Sequence, residues 1–177
     1  MTHDASDVIA SLIQSGQTVA SAESLTGGLV CAALTEVPGA SACVRGGVIA
    51  YEPDVKAEVL GVDAALLERH GAIDPEVARQ MAAGARRVLS ATYAVATTGA
   101  AGPDPAPGGS ETQPADPGSG FVAVSGPRGD LVRGFHAPGD RAEVRWAAVG
   151  CALDLLREAM ASDREGRPSA PRGTVGE

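Results

Sequence analysis

Between Thr18 and Val37 the chain passes from a short β-branched run, TVASA (18–22), through a polar turn, ESLTGG (23–28), into an apolar stretch of helical length, LVCAALTEV (29–37), closed by Pro38 and Gly39. A strand, a Ser/Thr/Gly turn and a helix in immediate succession open an alternating α/β pattern. The flanking segments continue it. Apolar residues at Val8, Ile9, Leu12 and Ile13 predict a helix over 4–15, with Gly16 as its stop. GGVIAY (46–51) reads as a second strand. Helices are predicted over 54–60, over 64–71 and over 74–90, the last with Asp74 as N-cap and Pro75 at its first position. TYAVATTG (92–99), nearly all apolar or β-branched, reads as a central strand. Residues 100–118 are rich in Gly, Pro, Ser and Asp and read as a long loop. A β-hairpin turning at PRGD (127–130) and a closing helix over 139–160 follow. The expected fold is therefore α/β: a single-domain, three-layer αβα sandwich with a mixed sheet, over residues 1–161, followed by a polar, Gly/Pro-rich tail, 162–177, expected to be disordered.

With 177 residues there is room for one full hydrophobic core. Aromatic residues make up only 3% of the chain, so that core is built from Ala, Val and Leu. A net charge of −8 argues against a nucleic-acid partner, which requires a basic face to displace counterions. Cys31, Cys43 and Cys151 are widely spaced, without a CxxC pair, and fit reduced thiols in a cytoplasmic protein. No signal peptide is expected, and no apolar run approaches the roughly 20 residues needed to span a bilayer. Lys56 is the only lysine, beside 13 arginines. Where arginine serves every simple need for charge, a retained lysine points to an amine whose pKa can be tuned.

Four segments carry groups suited to chemistry. In Glu23-Ser24-Leu25-Thr26-Gly27-Gly28, a serine precedes a helix N-terminus, where free N–H groups can form an oxyanion hole and glycines admit a substrate. By spacing alone, a helix capped by Ser or Thr is the better reading of these residues, and a phosphate-binding turn is a further one. The GxxxxGK[ST] spacing of a nucleotide-hydrolysing P-loop is absent. In Tyr51–Lys56, YEPDVK, a desolvated lysine could take a serine proton, with the tyrosine relaying or holding it; read alone, the stretch is a solvated helix start. Thr98 and Gly99, in TTGAAGP, end a strand where α/β proteins bind ligands, or simply begin a glycine-rich exit loop. Arg141, after Gly139 and Asp140, could clamp an anion, or could lie exposed on a helix capped by Asp140. No HExxH motif, Cys/His cluster or acidic metal loop is present, so no metal is expected.

In order and spacing, TVASAESLTGG, VPGASACVRGGVIAYEPDVKAEVLGV, LLERHGAIDPEVARQMAAGAR, TTGAAGPD and PGDRAEVR resemble the CinA C-terminal-domain family of nicotinamide-nucleotide amidohydrolases, over about residues 4–160. The resemblance implies hydrolysis of nicotinamide mononucleotide to nicotinate mononucleotide and ammonia, without a metal or organic cofactor. It assigns Ser24 as nucleophile, with Lys56 and Tyr51 as the base system. Thr26, Gly27 and Gly28 would hold the oxyanion, while Thr98, Gly99 and Arg141 would face the substrate. It also carries the expectations of a homodimer or larger homo-oligomer, and of a chain without the N-terminal molybdopterin-binding-like domain of longer members. The chain departs from the family pattern at Leu25, usually Cys, at Glu52-Pro53-Asp54, usually Ser-Asn-Glu, and through a longer loop after Gly102. The proposed catalytic side chains survive these changes. Two other readings remain: a non-catalytic nucleotide-binding or regulatory module of the same fold, and an amidase for another small amide, which the altered loop would permit.

Overall fold

Strand alternation sorts the side chains of β1 (Val19–Glu23) and β3 (Tyr93–Gly99) into two unlike layers. Val19, Tyr93 and Val95 enter one core together with Val122 and Val124. Ala20, Ala22, Ala94 and Ala96 enter another with Ala123. The sheet thus has a face of large residues and a face of alanines, with a helical layer on each. A computed structural model describes residues 3–110 and 113–165. On the valine side lie α1 (Ser6–Ser15), α2 (Leu29–Thr35) and α6 (Arg141–Glu165), which contribute Val8, Leu12, Leu34, Leu153 and Leu156 to the core. The alanine side is covered by α3 (Pro53–Leu60), α4 (Ala64–His70) and α5 (Pro75–Val88), through Leu60, Leu67, Val77 and Met81. The result is the expected three-layer αβα sandwich.

The sheet runs in the order β2 (Val44–Ile49), β1, β3, β6 (Ser119–Gly126), β7 (Gly129–His136). β1 is parallel to both neighbours, β6 is antiparallel to β3, and β7 is antiparallel to β6. The sheet is therefore mixed, β3 is central, and the expected hairpin is β6–β7. The carboxyl ends of β1, β2 and β3 converge at one edge, where open α/β sheets bind ligands.

The helix ends follow from local chemistry. Asp74 accepts from the Glu76 amide at 2.7 Å, with Pro75 at the first helical position of α5. Asp140 accepts from the amides of Ala142 and Glu143, while Glu143 accepts from the Asp140 amide at 2.8 Å, a reciprocal capping box that starts α6. Gly84 lets α5 cross α3 at backbone contact, since a Cβ there would lie 2.0 Å from the Leu60 carbonyl oxygen.

Two expectations need correction. The 100–118 segment is not all loop: β4 (Ala106–Ser110) and β5 (Gln113–Ala115) pair antiparallel, Ala106 with Ala115 and Ser110 with Gln113. Backbone pairing does not require the apolar alternation by which strands are recognised, and the Gly/Pro content hides it. The closing helix also extends past Met160 to Glu165, so residues 162–165 of the expected tail are helical. The remainder of that tail, 166–177, lies outside the described residues. Among the described residues, no helix is long and apolar enough to cross a membrane.

Candidate active site

Ser24 is the first residue after β1, and its position is fixed by the strand beside it: its amide donates to the Thr97 carbonyl at 3.0 Å. Lys56 approaches from α3, in the stretch that follows β2. Its side chain is completely buried, and Nζ donates to Ser24 Oγ at 3.2 Å, to the Ala50 carbonyl at 2.8 Å and to the Tyr51 carbonyl at 2.6 Å. Those three acceptors match the three hydrogens of an ammonium group. Burial lowers the Lys56 pKa from its ordinary 10.5 to about 8, against the opposing pull of the Glu52 and Asp54 carboxylates. Near neutral pH a usable fraction of this amine is uncharged. Two hydrogens then remain for the two carbonyls, leaving a lone pair free to face Ser24.

Tyr51 reaches the lysine through its main chain and not, as expected, through its phenol. The side chain is 57% exposed, and its hydroxyl accepts from Arg141 at 3.3 Å. Arg141 also donates to the Gly102 carbonyl at 3.2 Å. Tyr51, Arg141 and the start of the 102–118 segment thus form an exposed polar cluster.

The turn after Ser24 differs from the expected Ser/Thr cap. Gly28 occupies the N-cap of α2 with φ 100°, and Gly27 precedes it with φ 59°, a pair of left-handed conformations that favours glycine. The α2 amides are met by Glu23. This carboxylate, 1% exposed, accepts from the amides of Gly28, Val30 and Cys31 and from the hydroxyls of Ser21 and Thr26, all at 2.8–3.0 Å. An acid at a helix N-terminus is favoured by both the free amides and the dipole.

These bonds revise the expected oxyanion donors. The Gly28 amide is committed to Glu23, and the Gly27 amide to the Ser24 carbonyl at 3.2 Å. The Thr26 hydroxyl is spent on Glu23 and paired with Thr97 Oγ1 at 2.7 Å. Among the described residues, the amides of Leu25 and Thr26 are the two in the turn that carry no internal hydrogen bond. Their carbonyls, in contrast, are held by Arg145 of α6, at 3.0 Å for Leu25 and 2.6 Å for Thr26.

Thr98 is fully buried and donates to the Ala72 carbonyl at 2.6 Å, so its hydroxyl braces the segment before α5 and does not face a substrate. Gly99 meets β6 so closely that a Cβ would lie 2.7 Å from the Ser119 carbonyl oxygen, which makes its smallness a matter of strand packing. The structure therefore brings Ser24 and Lys56 together, sets Tyr51 beside Arg141, and turns Thr26 and Thr98 to internal bracing. Sequence reasoning missed the roles of Glu23 and Arg145. The available signals were an acid ending a buried strand, which must find donors, and an arginine one helical turn beyond Arg141. Among the described residues, no group of three His, Cys, Asp or Glu side chains is arranged to hold a metal ion.

The CinA C-terminal domain family matches residues 2–160. A CinA-like protein of Frankia casuarinae is 45% identical over 170 residues, covering 96% of this chain and 37% of the relative. A CinA-like protein of Anaeromyxobacter dehalogenans is 46% identical over 153 residues, covering 86% of this chain and 36% of the relative. The chain thus spans little more than a third of the length of these curated relatives. Among solved structures, the competence/damage-inducible protein CihA from Agrobacterium tumefaciens superposes with a TM-score of 0.79 at 38% identity, over 86% of this chain and 91% of that one. A CinA-superfamily protein from Escherichia coli gives a TM-score of 0.80 at 29% identity, over 86% of each chain. With the family match, the sequence identity and the superposed folds in agreement, this chain belongs to the CinA C-terminal domain family.

Proposed function

We propose that the protein hydrolyses the carboxamide of nicotinamide mononucleotide, releasing nicotinate mononucleotide and ammonia, with Ser24 as nucleophile and Lys56 as general base. The observation that carries this reading is the 3.2 Å approach of a desolvated Lys56 Nζ to Ser24 Oγ, with the other two Nζ contacts made to main-chain carbonyls. A serine hydroxyl is a poor nucleophile until a neighbour removes its proton, and an amine with a pKa of about 8 suits that task near neutral pH.

In this mechanism the neutral amine of Lys56 accepts the Ser24 proton as Oγ attacks the carboxamide carbon. The carbonyl electrons pass to its oxygen, which the free amides of Leu25 and Thr26 stabilise. The tetrahedral adduct collapses, Lys56 returns the proton to the departing nitrogen, and ammonia leaves an ester on Ser24. Lys56, neutral again, takes a proton from water as it attacks the ester; the second adduct collapses, Lys56 returns that proton to the departing Ser24 Oγ, and the acid product leaves, ionising to the carboxylate. The Tyr51–Arg141 cluster orients the nucleotide, its guanidinium facing the phosphate; Tyr51 thereby acts in binding, with its main-chain carbonyl steering the lysine.

The test is product formation by wild-type protein and a Lys56→Arg variant. The wild type should yield nicotinate mononucleotide and ammonia in equal amounts. The variant keeps the charge but lacks a titratable amine, so it should lose at least about 10²-fold in kcat. Wild-type turnover in the variant would remove Lys56 as the base.

A further inference from the structure

Three of the five amides between Ser24 and Gly28 are bound internally, to Thr97, Ser24 and Glu23. The remaining two, of Leu25 and Thr26, belong to buried residues. An amide so placed costs free energy unless something accepts from it. Arg145 acts on the same stretch from the carbonyl side: Nε donates to the Leu25 oxygen and a terminal nitrogen to the Thr26 oxygen. The planar guanidinium holds both carbonyls in one fixed geometry. In a trans peptide the C=O and the next N–H point in opposite directions, so holding the Leu25 carbonyl aims the Thr26 N–H away from Arg145. No carboxylate pairs with Arg145 among the described residues, and the side chain donates to main-chain oxygens instead.

We infer that Arg145 is a positioning residue of the oxyanion site: through the Leu25 carbonyl it fixes the Thr26 amide, and through the Thr26 carbonyl it fixes the Gly27 amide, whose bond to the Ser24 carbonyl sets the plane of the Leu25 amide, so that both free amides stay aimed at the oxygen that becomes charged when Ser24 attacks. It rests on the reading of Ser24 as nucleophile under the proposed function. Arg145 touches no reacting atom and acts through the peptide planes it fixes. A shift of the donors by about 1 Å is enough to cost roughly 10²-fold in rate.

The test compares Arg145→Ala and Arg145→Lys with wild type and with Arg157→Ala, an α6 variant that loses the exposed ion pairs to Asp7 and Asp154 and a hydrogen bond to the Asp4 carbonyl, all away from Ser24. The readouts are ammonia release from nicotinamide mononucleotide, labelling of Ser24 by a fluorophosphonate, and amide exchange in the peptide around residues 24–31. Arg145→Ala should lower kcat about 10- to 100-fold with KM within about twofold, slow the labelling in parallel, and regain rate when guanidinium is added. Arg157→Ala should behave as wild type. Should Arg145→Ala fail to fold, Arg145→Lys decides: a point charge cannot hold both carbonyls in one plane, so kcat should still fall. Folded variants with wild-type kcat and labelling rate would overturn the assignment, as would a loss confined to thermal stability. If wild-type protein neither releases ammonia nor takes the label, the functional reading fails first. Exchange then decides the rest: faster exchange over 24–31 alone upholds the clamp, and unchanged exchange overturns it.

Discussion

At the scale of single residues, the site is an environment built to make one amine weakly basic. Lys56 has no exposed surface, and burial lowers its pKa to about 8 while Glu52 and Asp54 act to raise it. The direction of the pH dependence follows. The charged ammonium cannot take a proton, so kcat/KM should climb with pH, reach half its limit near the Lys56 pKa of about 8 and level off above it. A pH–rate profile checks this, and a profile that falls through that range would contradict a neutral lysine as base. Ser24 and Lys56 were singled out before any coordinates, the serine in a strand–turn–helix and the lysine as the only one in the chain, although each stretch read alone favoured a plain helix start. Family resemblance tied the two together. The direction of the Tyr51 phenol was not legible, because side-chain rotamers depend on tertiary neighbours such as Arg141 that spacing along the chain does not reveal.

At the scale of elements, the geometry of the candidate site depends on how β1, α2, α3 and α5 are fastened. Glu23 ties the end of β1 to the start of α2. Glu23→Ala would leave the amides of Gly28, Val30 and Cys31 without their acceptor. The variant should lose about 2–5 kcal/mol of unfolding free energy. Denaturant titration measures it, and a loss under about 0.5 kcal/mol, the range of neutral surface changes, would refute the capping role. Glu23 escaped the sequence reading because helix caps are sought among Ser, Thr, Asp and Asn at the cap itself, whereas this acid folds back from the preceding strand. Gly84 fastens α5 to α3, the helix that bears Lys56. Gly84→Ala should force the helices apart, costing about 1–3 kcal/mol and lowering turnover together with stability. Unchanged melting and turnover would show that the contact relaxes freely.

At the scale of the whole molecule, the alternation of strand and helix was enough to anticipate the layers, the mixed sheet and the central place of β3. It did not anticipate the β4–β5 pairing, whose Gly/Pro composition is that of a loop, or the last turn of α6, whose polar residues follow the end of the apolar pattern at Met160. The two faces of the sheet explain the composition. Alanines on one side bring α5 close, and valines on the other meet α1, α2 and α6, so a core with few aromatic residues still fills. The parallel strands deliver Ser24, the Lys56-bearing segment and the Thr97 carbonyl to one edge of the sheet. The proposed role of this edge is amide hydrolysis with Ser24 as nucleophile. Its most direct test is ammonia release from nicotinamide mononucleotide by wild-type protein beside a Ser24→Ala variant. Release by the wild type and none by the variant is the predicted result; equal release by both, or none by either, would contradict it.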